Sequence, residues 1–247
     1  MHEATEQSTP TLCLASRSAR RLSLLREAGY VVEQINPPYE DPPQPLHNGE
    51  SPQEHAVSLA RAKAESVVNL FCEGLKDDWG HTPLLQPLAE REAVDDLPLP
   101  CVILSADTIC VSVEGDLLGQ PATRDEARTM IQSFVSADHD VVSGVALASL
   151  SVPGQGREVT WHCFADTATV RFGELDDAVL ARYLDTDQWQ GKAGGYNLFD
   201  QQRNGWPIEV LGDETTVVGL PMIQLRPALE LLGVRPVATA NADKQQT

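Results

Sequence analysis

Short apolar runs alternate with amphipathic segments along the first half of the chain. Residues 11–16 and 31–35 form two such runs, and residues 101–106 form a β-branched one. Runs of this length, bounded by turn-forming residues, predict strands, and the third suits the centre of a sheet. Residues 109–113 predict a further strand that leads into a turn at 114–116.

Two helices are predicted between these strands. Residues 19–28 place their apolar side chains on one face, with Ser18 as the N-cap and Gly29 as the stop. A second helix begins after Ser51, because Glu54 three residues later completes a capping box. The proline-rich segment that precedes this second helix predicts an extended loop.

The second half of the chain carries longer alternating runs. A capping box at 123–126 opens a helix that extends to about residue 134. Residues 139–150 and 158–172 predict two paired strands. The remaining predicted elements are a helix at 176–184, strands at 208–211 and 215–219, and a helix at 221–232.

This order of elements predicts an α/β fold with a mixed sheet and helices packed on it. Ligands collect at the carboxyl ends of strands in such sheets, and two such ends stand out at 16–21 and 106–108. The expected organisation is a flexible lead at 1–10, one domain at 11–235 with a surface insertion at 74–100, and a flexible tail at 236–247.

The chain is strongly acidic, with a net charge of −18 from 18 basic and 36 acidic residues. This balance argues against binding nucleic acid or an anionic membrane, since both require a basic surface. A small anionic ligand is compatible with it where the few basic residues converge. The polar start, the five cysteines without metal-ligand spacing and the absence of a long apolar run predict a cytoplasmic protein with reduced thiols.

Basic residues gather at the start of the first predicted helix. Arg20 and Arg21 fall in its first turn, where each positive charge opposes the helix dipole by ~0.3–1 kcal/mol. Free backbone N–H groups, guanidinium groups and serine hydroxyls at this end together form an anion site. Two solvated arginines explain the same pattern when it is taken alone.

Four other short segments carry candidate chemistry. Asp107, in the sequence SADT, follows a buried strand and can hold Mg²⁺ or orient a water, although a turn-forming Asp is the simpler alternative. Ile109 excludes the D-T-G motif of aspartic proteases. Lys63 lies on the second helix, where a solvated lysine is the simpler alternative. The segments GQP (119–121) and GKAGGY (191–196) are weak signals by themselves.

Taken in order, these segments resemble the Maf family. The resemblance rests on SRSARRLSLL, GESPQEHAVSLARAKA, VILSADT, LLGQPATRDEA, HDVVSGVAL, GKAGGY and VVGLP, and it spans about residues 12–233. It implies a two-lobed α/β structure around a cleft, similar to inosine triphosphate pyrophosphatase. It further implies a homodimer that hydrolyses nucleoside triphosphates to monophosphate and pyrophosphate with a divalent metal, Mg²⁺ or Mn²⁺.

The resemblance also implies roles for individual residues. Asp107 takes the position of the base or metal-linked activator of water, and Lys63 joins it in the catalytic set. Asp41, or Glu40 beside it, is the second metal-binding acid. Thr108 matches a position tied to base choice, and threonine there resembles the branch that favours thymidine and uridine nucleotides. The other substrate-binding positions are Ser16, Ser18, Arg20, Arg21, Gln120, Lys192 and Phe199.

Three positions depart from the pattern of that family. Ala19 replaces a proline at the first helical position, where the loss costs little. Gln120 stands where a lysine is usual, and losing one transition-state contact typically slows an enzyme by about 10²–10³-fold. Phe199 lies near an expected glutamine, so the preferred base stays open.

Three functions are therefore distinguished. The leading hypothesis is an active nucleoside triphosphate pyrophosphatase. Gln120 and the altered segment at 134–139 motivate a second, a nucleotide-binding regulator of cell division with weak or no catalysis. A third is a structural partner that binds no nucleotide, for which no nucleotide would shift the melting temperature.

Overall fold

The computed structural model of the chain describes residues 9–41, 49–72, 100–151 and 158–237. Nearly all of the predicted lead, the predicted insertion at 74–100 and the predicted tail lies outside the described residues. Within these ranges the chain forms seven strands and seven α-helices. The strands are β1 (Thr11–Ala15), β2 (Val32–Ile35), β3 (Cys101–Val111), β4 (Leu117–Leu118), β5 (Ala137–Ser151), β6 (Glu158–Phe172) and β7 (Ile208–Leu211). The helices are α1 (Ala19–Glu27), α2 (Pro52–Cys72), α3 (Arg124–Phe134), α4 (Asp177–Leu184), α5 (Leu198–Arg203), α6 (Glu214–Val218) and α7 (Met222–Leu231).

The strands form one mixed sheet, as the sequence predicts. Their order is β2-β1-β3-β5-β6-β7, and β4 pairs with β3 outside this row. Strand β1 runs parallel to β2 and β3, because each connection includes a helix, whereas the other pairings are antiparallel. The α/β prediction is therefore confirmed.

The core is divided into clusters that define two lobes. On one face of the sheet, Leu104 of β3 and Leu225 of α7 belong to one cluster, while on the other face Ile103 of β3 and Ala60 of α2 belong to another. A separate aromatic-rich cluster around Phe134 lies beneath α3 and α4. The long strands β5 and β6 contribute to both lobes. None of the helices in the described ranges is both long and apolar enough to cross a membrane.

Strand β3 is longer than predicted, and this corrects the expected position of Asp107. The prediction ended the strand at residue 106, but β3 pairs with β5 continuously as far as Val111. Asp107 and Thr108 therefore lie inside the strand, not at its carboxyl end. The other predicted strand end, before residues 16–21, is observed. Strand β1 ends at Ala15, beside the middle of β3.

The predicted strand at 215–219 is wrong, because this segment forms α6. The side chain of Asp213 accepts a hydrogen bond from the backbone N–H of Thr215 at 2.9 Å, which starts the helix. Gly219 ends it in a left-handed conformation with φ of 119°. A short β-branched apolar run has the same appearance in a strand and in one buried helical turn. Helix α5 was also not predicted.

The predicted capping box of α2 is confirmed. The backbone N–H of Ser51 donates to Oε2 of Glu54 at 2.8 Å, and the N–H of Glu54 donates to Oγ of Ser51 at 3.2 Å. These two bonds satisfy donors that have no partner inside the helix. The box fixes the start of the helix that carries Lys63.

Replacing Ser51 with alanine should lower the free energy of unfolding by about 1 kcal/mol, since one cap acceptor is lost. Urea unfolding followed by circular dichroism measures this change. Ser133→Ala, in the last turn of α3, is the control, because Ser133 is exposed and alanine is favoured in helices. Equal losses in the two variants would contradict the capping role of Ser51.

Candidate active site

A cavity of about 440 Å³ lies between the two lobes. Its size falls within the range of small-molecule sites. Nine of the predicted site residues line it. They are Ser16, Ser18, Arg20, Arg21, Asp41, Lys63, Asp107, Thr108 and Gln120.

Three predicted residues lie outside the lining. Lys192 is half-buried between two lining residues, and burial followed by the nearby charge of Arg20 lowers its pKa. Phe199 packs against the aromatic-rich cluster of the second lobe. Glu40 is also outside, whereas its neighbour Asp41 lines the cavity. The structure thus brings Asp41, not Glu40, to the site.

Lys63 connects the two carboxylates of the cavity. Its Nζ lies 2.6 Å from Oδ1 of Asp107 and 2.7 Å from Oδ1 of Asp41. The side chains of Lys63 and Asp107 are each 12% exposed and that of Asp41 is 45% exposed, so one carboxylate is enclosed and the other faces solvent. A buried carboxylate requires a paired charge, and Lys63 supplies it.

The start of α1 forms the cationic side of the cavity. Ser18 caps the helix by accepting the N–H of Arg21 at 3.4 Å, and Oγ of Ser16 accepts the N–H of Ser18 at 3.2 Å. The Arg21 guanidinium donates to Oγ of Ser16 and to the carbonyl of Gly219. The side chain of Arg20, in contrast, forms no hydrogen bond or ion pair with the residues that the structure describes.

The guanidinium groups of Arg20 and Arg21 are substantially desolvated. Burial lowers the pKa of both, opposed by the charge of Asp200 near Arg20 and of Asp107 near Arg21. Guanidinium groups stay protonated in proteins, so burial weakens their hydration without removing their charge. Such groups attract an incoming polyanion more strongly than solvated ones, because the local dielectric is low.

The cavity is locally basic although the whole chain is acidic. Four arginine or lysine side chains and two aspartates line it. The extra cation is Arg17, which the sequence prediction did not single out. The convergence of basic residues that an anionic ligand requires is therefore present.

The carboxylates fit a hard divalent cation. Mg²⁺ binds to proteins through one or two carboxylates and completes its shell with water and substrate phosphates. Asp41 and Asp107 provide two such carboxylates on the same cavity. Among the described residues, no three His, Cys, Asp or Glu side chains converge on one point. The donor set thus suits a cation shared with a phosphate ligand.

The other end of the cavity is apolar. Cys110, Val141 and Tyr196 line it. Tyr196 is held from behind by His139, whose Nε2 lies 3.0 Å from the tyrosine Oη and whose ring stacks on Phe134 with centroids 3.9 Å apart. Burial lowers the pKa of His139 to about 4, so this histidine is neutral at neutral pH. The pair provides a fixed, uncharged wall.

Several lining residues were missed by the sequence reasoning. Val217 was hidden by the wrong assignment of α6, while Tyr196 and Asn197 follow the glycines at 194 and 195. An aromatic residue next to glycines that permit close approach is the signal that could have found the latter two. The missed positions include Arg17, Tyr39, Cys110, Tyr196, Asn197 and Val217.

Comparison with known proteins identifies the class. The family model described as "Maf-like protein" matches residues 11–232. This chain therefore belongs to the Maf-like protein family, which confirms the resemblance and its two-lobed α/β fold.

Curated relatives cover nearly the whole chain. The dTTP/UTP pyrophosphatase of Rhodopirellula baltica is 31% identical over 222 residues, which is 89% of this chain and 81% of the relative. The dTTP/UTP pyrophosphatase of Bordetella parapertussis is 32% identical over 228 residues, covering 91% and 94% respectively. The protein of the same name from Lawsonia intracellularis is 26% identical over 241 residues, covering 96% and 90%.

Proposed function

We propose that this chain hydrolyses nucleoside triphosphates to monophosphates and pyrophosphate, with dTTP and UTP as its first candidate substrates. The observation that carries the proposal is the arrangement of Asp41, Lys63 and Asp107 beside the two arginines of α1. The names of the relatives support the reaction class. Cleavage of an α–β anhydride requires cations around the phosphates and a base for the attacking water.

The start of α1 binds the phosphates. Arg21 and Arg20 offset their negative charge, and the unpaired N–H groups of the first helical turn add partial positive charge. Gln120 offers only a neutral amide on the same cavity. Fewer cations favour a slower enzyme, not an inactive one, because total accelerations by enzymes are 10⁶-fold or more.

Asp107 acts as the base. Its carboxylate accepts a proton from a water that attacks the α-phosphorus, and pyrophosphate leaves as the anhydride bond breaks. Lys63 holds Oδ1 of this carboxylate at 2.6 Å, which fixes its orientation.

Asp41 and Asp107 would hold the divalent cation, Mg²⁺ or Mn²⁺. When bound there, the cation polarises a phosphoryl oxygen and neutralises charge that develops during transfer. Lys63 lies within 2.7 Å of both carboxylates, so it would share them with the cation. Phosphate oxygens and water would supply the remaining ligands.

The nucleobase of the substrate occupies the apolar end of the cavity. Tyr196 offers an aromatic face, and Asn197 offers its amide N–H groups, since its Oδ1 accepts the N–H of Asp200 at the start of α5. A carbonyl oxygen of thymine or uracil can accept from these groups. The names of the relatives carry the choice of dTTP and UTP as first candidates.

A product assay tests the function. The purified chain is incubated with dTTP, UTP, CTP, ATP and GTP, each with Mg²⁺, Mn²⁺ or a chelator, and products are separated by chromatography. We expect equal amounts of monophosphate and pyrophosphate in the presence of metal, and neither with chelator. Diphosphate with inorganic phosphate would contradict α–β cleavage. Tight nucleotide binding by calorimetry without any product would support the regulator instead.

The oligomeric state is a separate part of the proposal. A homodimer is what membership of the family implies for this chain. Sedimentation equilibrium or light scattering of the full chain measures it, and a mass of about 27 kDa would contradict it, since the chain has a mass of 26.9 kDa.

A further inference from the structure

A row of hydroxyl groups connects Arg21 to the interior of the sheet. Thr108 on β3 lies directly opposite Ser143 on β5, and their hydroxyl oxygens are 2.8 Å apart. Oγ of Ser143 donates to the carbonyl of Thr216 at 2.7 Å. At the other end, Nη2 of Arg21 donates to Oγ1 of Thr108 at 3.0 Å.

The direction of each bond in this row is fixed. Ser143 is fully buried, and its single hydroxyl proton is directed to the carbonyl of Thr216. Its oxygen must therefore accept the proton of Thr108, because a hydroxyl has one proton only. The oxygen of Thr108 is then left as an acceptor for the N–H of Arg21. The three bonds form one ordered series.

The row holds one edge of the Arg21 guanidinium. Nε donates to the carbonyl of Gly219 at 2.9 Å, and Nη1 donates to Oγ of Ser16 at 3.3 Å. Three of the five N–H groups are thus used by the fold, and among the described residues nothing takes the other two, one on each terminal nitrogen. Arg21 lines the cavity, so these two N–H groups are available to phosphate oxygens in the proposed reaction, which a planar guanidinium can bind in pairs.

We infer that Thr108 and Ser143 are positioning residues that hold the Arg21 guanidinium in its phosphate-binding orientation. The inference rests on the proposed function and deepens it. It gives Thr108 a role other than base choice, because its proton is donated to Ser143 and its oxygen accepts an N–H of Arg21. It also distinguishes the two arginines, since Arg20 has no comparable restraint among the described residues.

The contacts of α6 support this positioning role of Thr108 and Ser143. The carbonyls of Thr216 and Gly219 both belong to α6 and its C-terminal residue, so one short helix restrains the guanidinium through two routes. The helix is itself anchored, because the hydroxyl of Thr216 donates to Asp166 of β6. A pre-oriented donor loses less entropy when the ligand binds, which strengthens the interaction.

Thr108→Val is the principal test, since valine keeps the shape of threonine but removes its hydroxyl. We expect kcat/KM to fall by about tenfold to a hundredfold, the range for a lost hydrogen bond to a charged group. The fall should be equal for every nucleotide, and Thr108→Ser should restore most of it. Thr169→Val is the control, because it removes a strand hydroxyl that bonds Asp140 outside the cavity.

A double-mutant cycle with Arg21→Gln separates positioning from base choice. If Thr108 acts through Arg21, adding Thr108→Val to the Arg21→Gln variant should change kcat/KM less than threefold. A full additional loss, or a change in the ratio of UTP to CTP turnover, would overturn the inference. Ser143→Ala provides a second, independent cycle with Arg21 should Thr108→Val fail to fold.

Failure of the inference can be distinguished from failure of the proposed function. If the wild-type chain releases no pyrophosphate from any nucleotide, the proposed function is wrong. The inference is then tested by calorimetric titration of inorganic tripolyphosphate, whose binding Thr108→Val should weaken by the same tenfold or more. Unchanged binding in that variant would overturn the positioning role.

Discussion

Replacing Asp107 with asparagine is expected to lower kcat for pyrophosphate release by about 10²–10⁴-fold, the usual contribution of a general base. Asparagine has the same size and keeps one oxygen, but it cannot accept a proton from the attacking water. The variant should still fold, because Asp41 remains 2.7 Å from Nζ of Lys63 and continues to pair its charge.

The measurement combines three readouts. Pyrophosphate release gives kcat, calorimetry gives nucleotide affinity, and thermal unfolding reports the fold. Asp185→Asn is the matched control, since Asp185 is an exposed carboxylate that pairs with Arg124 outside the cavity, and its turnover should equal that of the wild type. Unchanged turnover in Asp107→Asn would exclude Asp107 as the base.

The cationic side of the site was predictable because it is local in sequence. Ser18, Arg20 and Arg21 lie within four residues, and the cap residue alone fixes where the helix begins. Lys63 was predictable only in part: its helix followed from the capping box at Ser51, but its contact with Asp107 spans 44 residues. Spacing along a helix does not indicate which strand that helix crosses.

The apolar end of the cavity was not predictable for a related reason. Tyr196 is positioned by His139, which lies 57 residues earlier, and by an aromatic cluster assembled from several elements. Val217 was assigned to a strand because a short β-branched run carries no period long enough to separate strand from helix. The extension of β3 through Asp107 likewise depends on its pairing with β5, because this pairing keeps a polar residue inside the strand.

The second large effect is expected at Gly144, where the backbone of α2 touches the sheet. A methyl group added here would overlap the carbonyl carbon of Ala56 and the backbone nitrogen of Val57, both well inside van der Waals contact. These are backbone atoms inside a helix, so no side-chain rotation relieves the clash and the whole helix must move. Overpacking of this kind costs about 1–3 kcal/mol and occasionally more.

Gly144→Ala should therefore lower the free energy of unfolding by about 3 kcal/mol. Gly119→Ala is the control for stability, because an added methyl there meets nothing within 4 Å and φ is not in the left-handed region. Urea unfolding of the two variants gives the comparison. A free energy of unfolding of Gly144→Ala equal to that of the wild type would contradict the close contact.

The same substitution should also lower turnover in the fraction that folds. Gly144 lies opposite Asp107 in the register of β3 and β5, and α2 carries Lys63 two turns beyond Ala56. A helix displaced from Gly144 moves Nζ of Lys63 away from a carboxylate that it now approaches to 2.6 Å. Because misplacing a catalytic group by about 1 Å can cost 10²-fold, kcat per folded molecule should fall with stability. A destabilised variant with full activity per folded molecule would show instead that Lys63 reaches Asp107 from more than one helix position.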